Sequence, residues 1–299
     1  MMNKRKNKSL VFPKKMYFFI IPAAVFFIVF WVLPVFQLFY YSVTNFDGIN
    51  YNYDFIGLKN YISLFESGEA FNSIKNTVIY TVVMVAGSNI FGLALAMALN
   101  VRIKGKTAFR TISFIPTLFS AVVVGFIWSY VYMPGNGMVS SIIELAGGNK
   151  YSFNILGDFK WALIGIAIVE IWKSFGTAMI IYLAGLQTVD TSLIEAGRID
   201  GCTEWQLIRK VKLPLISATI TINVILSVIN GLKAFDYVFV MTNGGPGDST
   251  NTLMFSIYKM AFTEQMMGKA SAFSVISFIT IILITIGILF FMNKREVEL

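Results

Sequence analysis

Residues 190–214 read Asp190-Thr191-Ser192-Leu193-Ile194-Glu195-Ala196-Gly197-Arg198-Ile199-Asp200-Gly201-Cys202-Thr203-Glu204-Trp205-Gln206-Leu207-Ile208-Arg209-Lys210-Val211-Lys212-Leu213-Pro214. Ser192 followed by Glu195 has the pattern of a capping box and predicts a helix start. Asp200-Gly201 predicts its end. Thr203 with Gln206 repeats the capping pattern. Leu213-Pro214 predicts the close of this second helix and the opening of the next, because proline suits a first turn and disrupts a helix interior. The stretch therefore reads as two short helices joined at a tight turn. Their apolar sides need cover, from either lipid headgroups or a protein partner.

Outward from this stretch the chain becomes very apolar. Residues 161–189 carry only Glu170 and Lys173 as charges, and residues 213–240 only Lys233 and Asp236. Residues 16–41, 76–101 and 270–293 carry none. Residues 111–143 also carry none and are interrupted at Pro134-Gly135-Asn136-Gly137. A spanning helix needs roughly 20 mostly apolar residues. The sequence predicts an all-α integral membrane protein with six spans, at about 16–41, 76–101, 111–134, 161–187, 214–240 and 270–293. Residues 1–15 and 294–299 are predicted to be tails. The first apolar run is longer than a signal-peptide core and lacks a small-x-small cleavage site, so it reads as a signal anchor.

Composition agrees. Of 299 residues, 56% are hydrophobic and 13% charged, against about 25% charged in a typical soluble domain. Mean hydropathy is +0.70. The chain has no histidine, which excludes histidine catalysis and histidine metal ligands, and its single cysteine excludes an internal disulfide. No nucleophile–base or metal constellation occurs in the spans, so an intramembrane enzyme is not expected.

The net charge of +8 is a topology signal. Lys4, Arg5, Lys6, Lys8, Lys14 and Lys15 precede the first span. Arg102, Lys104, Lys106 and Arg110 follow the second, Arg198, Arg209, Lys210 and Lys212 follow the fourth, and Lys294 and Arg295 follow the sixth. Only Lys59, Lys75, Lys150, Lys160, Lys259 and Lys269 lie on the other side. The positive-inside rule then puts both termini in the cytoplasm and removes the case for nucleic-acid binding. Gly105-Lys106-Thr107 looks like the end of a phosphate-binding loop, but Asn100 stands where that pattern needs glycine. ATP hydrolysis by this chain is not expected.

The spacing Glu195-Ala196-Gly197, Gly201, Leu213-Pro214 resembles the EAA loop of ABC importer permeases. Gly197 replaces the second alanine of that pattern and Val211 an isoleucine; Asp200 also fits. Phe235-Asp236-Tyr237 with Thr242-Asn243-Gly244-Gly245-Pro246 and Thr250 is similar to a stretch of the carbohydrate-uptake group related to the first maltose-transporter permease. Gly57-Leu58-Lys59-Asn60-Tyr61, Asn72-Ser73-Ile74-Lys75-Asn76-Thr77, Phe109-Arg110 and Pro116 match as well. The resemblance covers about residues 16–292 and is to the shorter six-helix members.

The resemblance implies a type I ABC importer permease fold and a subunit that imports a sugar, an oligosaccharide, across a bacterial cell membrane. It implies as partners a second homologous permease, two ABC ATPase subunits, an extracellular solute-binding protein and membrane lipid. It implies no cofactor in this chain, since ATP and Mg are used by the partner ATPase. Glu195, Ala196, Gly197, Asp200, Gly201, Leu213 and Pro214 would couple to that ATPase. Lys173, Ser174, Thr177, Ser227, Asn230 and Gly231 would line the substrate path. Gly244, Gly245 and Pro246 would form an external motif, read either as a docking scoop or as an ordinary re-entrant turn.

Two i,i+3 pairs, Glu170/Lys173 and Lys233/Asp236, have the spacing for self-neutralisation on a helix face. The alternatives are import of glycerol 3-phosphate or another polar solute by the same machinery, and an ATP-independent carrier. Catalytic and metal residues are not expected.

Overall fold

The computed structural model describes residues 18–50, 52–101 and 104–293. The two predicted tails and Arg102 lie outside the described residues. The chain opens with α1 (Phe18–Tyr41). α2 (Lys59–Glu66) and α3 (Glu69–Leu99) follow. α4 (Lys106–Phe114) runs into a 3₁₀ turn at Ile115–Leu118 and is followed by α5 (Ala121–Val131) and α6 (Met138–Leu145). α7 (Ala162–Gln187) leads to α8 (Thr191–Ile199). α9 (Glu204–Leu215) and α10 (Ser217–Leu232) come next. α11 (Leu253–Tyr258) and α12 (Met267–Asn293) complete the fold. The one extended pairing among the described residues is an isolated bridge between Thr44 and Phe55.

α1, α3, α7 and α12 are each long and apolar enough to cross a membrane alone. The expected third span is bent within its range, and the expected fifth is bent at its start, where the stretch 190–214 runs into it. The axis turns by 99° between the segment Lys106–Leu118 and α5, and by 72° between α9 and α10. Pro116 explains the first bend: it has no N–H for the helical ladder, and Phe119 and Ser120 are extended (ψ 146° and 143°). The fifth span was expected to run to residue 240. α10 instead ends at Leu232, and the chain folds back through a π turn at Val238–Thr242.

Three apolar clusters hold the bundle. Tyr80 and Met84 of α3 meet Val124 of α5, Leu163, Ile166 and Val169 of α7, and the returning residues Ala234, Tyr237 and Val238. Ala96 and Leu99 of α3 meet Met179, Tyr182, Leu183 and Leu186 of α7 and Ile216 at the α9–α10 bend. Leu64, Ala70, Met260 and Phe273 join α2, α3, α12 and the turn after α11. α1 buries none of its residues, and Phe30 and Phe36 are 67% and 70% exposed. A helix apolar on all sides belongs in lipid.

Candidate functional site

α7 and α10, which flank the stretch 190–214, enclose a cavity of about 250 Å³ together with α3 and the turn after α4. Lys173, Ser174 and Thr177 line it from α7, and Ser227 and Asn230 from α10. The spacing explains the grouping. Residues 170, 173, 174, 177, 178 and 181 on α7, and 223, 226, 227 and 230 on α10, are successive i, i+3, i+4 positions on one helical face. Gly231 is the exception among the six expected path residues. One residue further round α10, it is buried against α3, where a Cβ would lie 2.8 Å from the Thr81 Cγ2. It packs helices and does not line the cavity.

The structure adds Glu170 and Asn223, which the same periodicity exposes, and Ser88 and Thr117, which only the tertiary fold brings in. Thr117 Oγ1 donates to the Lys173 carbonyl (2.9 Å). Asn223 Nδ2 donates to the Ala178 carbonyl (3.0 Å). Ser227 Oγ donates to the Asn223 carbonyl (2.8 Å) and accepts from Asn89 Nδ2 (3.1 Å). Tyr182 in turn donates to Asn89 Oδ1 (2.5 Å). Ser227 is thus engaged in holding α10 to α3. Ser174 Oγ is buried without a partner.

Neither expected i,i+3 ion pair forms: the ion pairs among the described residues all lie elsewhere. For Lys233 and Asp236 the reason is the end of α10 at Leu232, which takes them off a common helix.

The stretch 190–214 does form two helices, with two corrections. The first cap is Asp190, whose carboxylate accepts from the Ser192 N–H (2.9 Å); Ser192 is already inside α8. That hydrogen bond holds the Asp190 carboxyl below the usual carboxylate range. The capping box of Thr203 and Gln206 is present as expected, with bonds of 2.8 Å and 3.3 Å.

Pro214 does not end α9. A π turn at Ile208–Lys212 widens the helix ahead of the ring, and α9 continues to Leu215 before bending at Ile216. Gly201 takes φ +78° at the turn between α8 and α9, a conformation suited to glycine. At Gly197, the departure from the EAA pattern, a Cβ would lie 2.7 Å from Leu207 Cδ2, so glycine lets α8 and α9 close on each other. Arg198 and Glu204 bridge the same joint at 2.7 Å. Glu195, Ala196, Asp200 and Gly201 are exposed, while Leu213 and Pro214 are half-buried. Leu193, Ile199 and Trp205 are 45%, 86% and 67% exposed.

The Gly244-Gly245-Pro246 turn is fastened inward. Gly244 is buried, and Gly245 and Pro246 are half-buried. Thr250 Oγ1 donates to the Gly245 carbonyl (2.8 Å), Asn76 Nδ2 donates to the Asn251 carbonyl (3.0 Å), and Thr252 Oγ1 donates to the Ala234 carbonyl (2.7 Å).

Residues 88–295 match the family described as "Binding-protein-dependent transport system inner membrane component". The chain belongs to this family. It is therefore a membrane-embedded permease component of a binding-protein-dependent transport system, with the type I importer permease fold, and it is not itself an enzyme.

This permease is 35% identical over 271 residues to the multiple sugar-binding transport system permease protein MsmF of Streptococcus mutans, spanning 90% of this chain and 92% of that one. It is 33% identical to the probable starch degradation products transport system permease protein AmyD of Thermoanaerobacterium thermosulfurigenes, over 94% of each chain. The sn-glycerol-3-phosphate transport system permease protein UgpA of Agrobacterium fabrum is 29% identical over 96% of this chain and 98% of that one. Among solved structures, the fold matches a bacterial ABC transporter involved in the import of the acidic polysaccharide alginate. The TM-score is 0.82 at 22% identity, covering 94% of this chain and 95% of that one.

Proposed function

We propose that this permease carries a sugar, an oligosaccharide, into a bacterial cell, working beside a second homologous permease, with ATP and Mg used by two separate ABC ATPase subunits. Its solute arrives on an extracellular binding protein. Both termini face the cytoplasm, as the distribution of Lys and Arg implies.

The observation that carries this reading is how α8 and α9 connect to the cavity. The pair is fixed internally by its caps, by the Arg198–Glu204 bridge and by Gly197 against Leu207, yet it exposes Ile199 and Trp205. Exposed apolar side chains on a rigid polar bracket fit a protein partner. The bracket is joined at one end to α7 and at the other to α10, the two helices with the most cavity residues. A motor that grips it through Glu195, Ala196, Gly197, Asp200 and Gly201 moves both cavity walls. Leu213 and Pro214 carry that motion to the Ile216 bend, whose side chain is buried between α3 and α7. The cavity lies part-way along both helices, where transport sites are usual. The Gly244–Pro246 turn, fastened to α3, serves as a rigid rim beside the docked binding protein.

The sugar reading draws on the lining hydroxyls and amides and on the sugar-transport relatives. Lys173 and the glycerol-phosphate relative favour a second reading, import of glycerol 3-phosphate by the same machinery. Uptake of labelled oligosaccharides and of glycerol 3-phosphate, in a strain lacking this permease and complemented with it, separates the two. Restored uptake of only the phosphate ester overturns the sugar reading. An ATP-independent carrier would retain transport after Glu195→Lys.

A further inference from the structure

A second groove, of about 640 Å³, lies away from the solute cavity, between α10 and α12. Ile220 and Val224 line it from α10, and Ile284 and Gly287 from α12. Ser217 and Thr221 bring it hydroxyls, and Thr221 Oγ1 is spent on the Ser217 carbonyl (3.1 Å). A Cβ on Gly287 would meet no neighbouring atom within 4 Å, so the groove is open there. Its α10 wall runs from Ser217 to Val224, roughly 10 Å along the helix, which is about two-thirds of the apolar depth of one leaflet.

One end of this groove meets cations. Ser217 directly follows the Ile216 bend, and the Ile216 N–H donates to the Lys212 carbonyl (3.1 Å), so Lys212 stands one turn before the groove. Arg209 and Lys210 are exposed and Lys212 is half-buried, and none of the three forms an ion pair among the described residues. α12 ends at Asn293, just past the groove residue Phe291. The sequence continues with Lys294 and Arg295, which lie outside the described residues. The positive-inside bias accounts for cations at this end of the bundle, but not for an open apolar slot beside them. An apolar protein segment would fill the slot and leave the cations unmatched. A phospholipid carries an acyl chain and a phosphate in the order the slot and the cations require. In phosphatidylcholine the choline offsets the phosphate; a net-anionic headgroup keeps its attraction to Lys and Arg. We propose that the α10–α12 groove binds an anionic phospholipid, with one acyl chain in the slot and the phosphate among Arg209, Lys210 and Lys212. Such a lipid touches α9 and α10 on both sides of their 72° bend and braces it. The bracing role rests on the coupling reading above; the lipid site itself does not.

The test uses the whole transporter, with its second permease and ATPases, in nanodiscs of phosphatidylcholine with a minor fraction of phosphatidylglycerol. Trace phosphatidylglycerol or phosphatidylcholine with a diazirine on its acyl chain is photoactivated, and the labelled peptides are identified by mass. Phosphatidylglycerol is expected to label α10 and α12 at least about fivefold more than phosphatidylcholine does. Arg209→Gln, Lys210→Gln and Lys212→Gln together are expected to bring the two probes within about twofold of each other. Gly287→Leu fills the slot with a residue that favours a helix, and is expected to abolish labelling of α10 by both probes. Co-purification with the partner subunits checks that each variant is assembled, and labelling of α1 checks that the probes are delivered.

A second arm follows ATP hydrolysis as the phosphatidylglycerol fraction is varied. The rate is expected to change by at least about twofold in the unaltered transporter and to stay constant in Gly287→Leu. Equal labelling by the two probes overturns the anionic site, and so does selective labelling that survives the three glutamine substitutions. Absence of label from α10 and α12 in the assembled transporter, with α1 labelled, shows the groove covered by the second permease and also overturns it. A constant rate in the unaltered transporter overturns the bracing role. Full binding-protein-stimulated hydrolysis in Glu195→Lys overturns the coupling reading and leaves the lipid site standing.

Discussion

Two loops of this permease carry the motifs most visible in its sequence, and they are built in opposite ways. The turn at 243–252 is fastened inward: Thr250 and Thr252 are fully buried, and Asn251 is 7% exposed. The Thr250 and Thr252 hydroxyls donate to the carbonyls of Gly245 and Ala234, and the Asn251 carbonyl accepts from Asn76 of α3. The bracket α8–α9 packs Ile194, Leu213 and Leu215 against the α3–α7 core, yet it exposes Ile199 and Trp205. A motif whose bonds end inside the chain is a matter of folding. A motif that is rigid but leaves apolar and acidic groups outward is a matter of partners. The two should therefore fail differently when altered.

The largest effect should come from Glu195→Lys. Reversing an exposed charge at the proposed ATPase contact should reduce binding-protein-stimulated ATP hydrolysis about tenfold or more. The melting temperature of the purified subunit should be unchanged. Loss of both together would dissolve the contrast between the loops.

Next in size, Thr252→Val should lower stability by about 1–3 kcal/mol, because the buried Ala234 carbonyl loses its donor. Thermal unfolding in detergent measures this, and ATP hydrolysis per folded complex should be unaffected. Gly197→Ala should fall within about 1 kcal/mol of neutral. Alanine favours the helix by up to about 1 kcal/mol, while its methyl must displace the end of Leu207. A large loss would show that Leu207 cannot move and that the bracket is more tightly packed than its exposure suggests. The smallest effect should come from Glu204→Ala. Its bridge to Arg198 is exposed on both sides, so the change should cost less than about 1 kcal/mol and shrink further in high salt.

Local chemistry was readable where neighbours in sequence decide it. The Thr203–Gln206 capping box, the Gly201 turn and the apolar runs follow from groups a few residues apart. Asp190 captured the first helix start from Ser192 because both can cap, and choosing between them requires knowing where the backbone leaves α7. Pro214 read as a boundary, yet a π turn absorbed it, since widening one turn avoids the clash of its ring without ending the helix. Glu170 and Asn223 were open to detection by the same i, i+3, i+4 spacing that groups Lys173 with Thr177 and Ser227 with Asn230. Ser88 and Thr117 were not, because they are distant in sequence and look like any hydroxyl in a span.

By itself the sequence determined that this chain belongs in a bilayer and that residues 190–214 form a capped helical pair. Apolar runs and caps act over one helix at a time, so a linear reading captures them. Tertiary structure decided that the chain bends inside the expected third span and between α9 and α10, that Gly231 packs while Asn230 lines the cavity, and that Glu170 and Lys173 form no ion pair. Those outcomes depend on which helix lies opposite, and the hydrogen bonds and van der Waals contacts that settle them join residues separated by scores of positions in the chain.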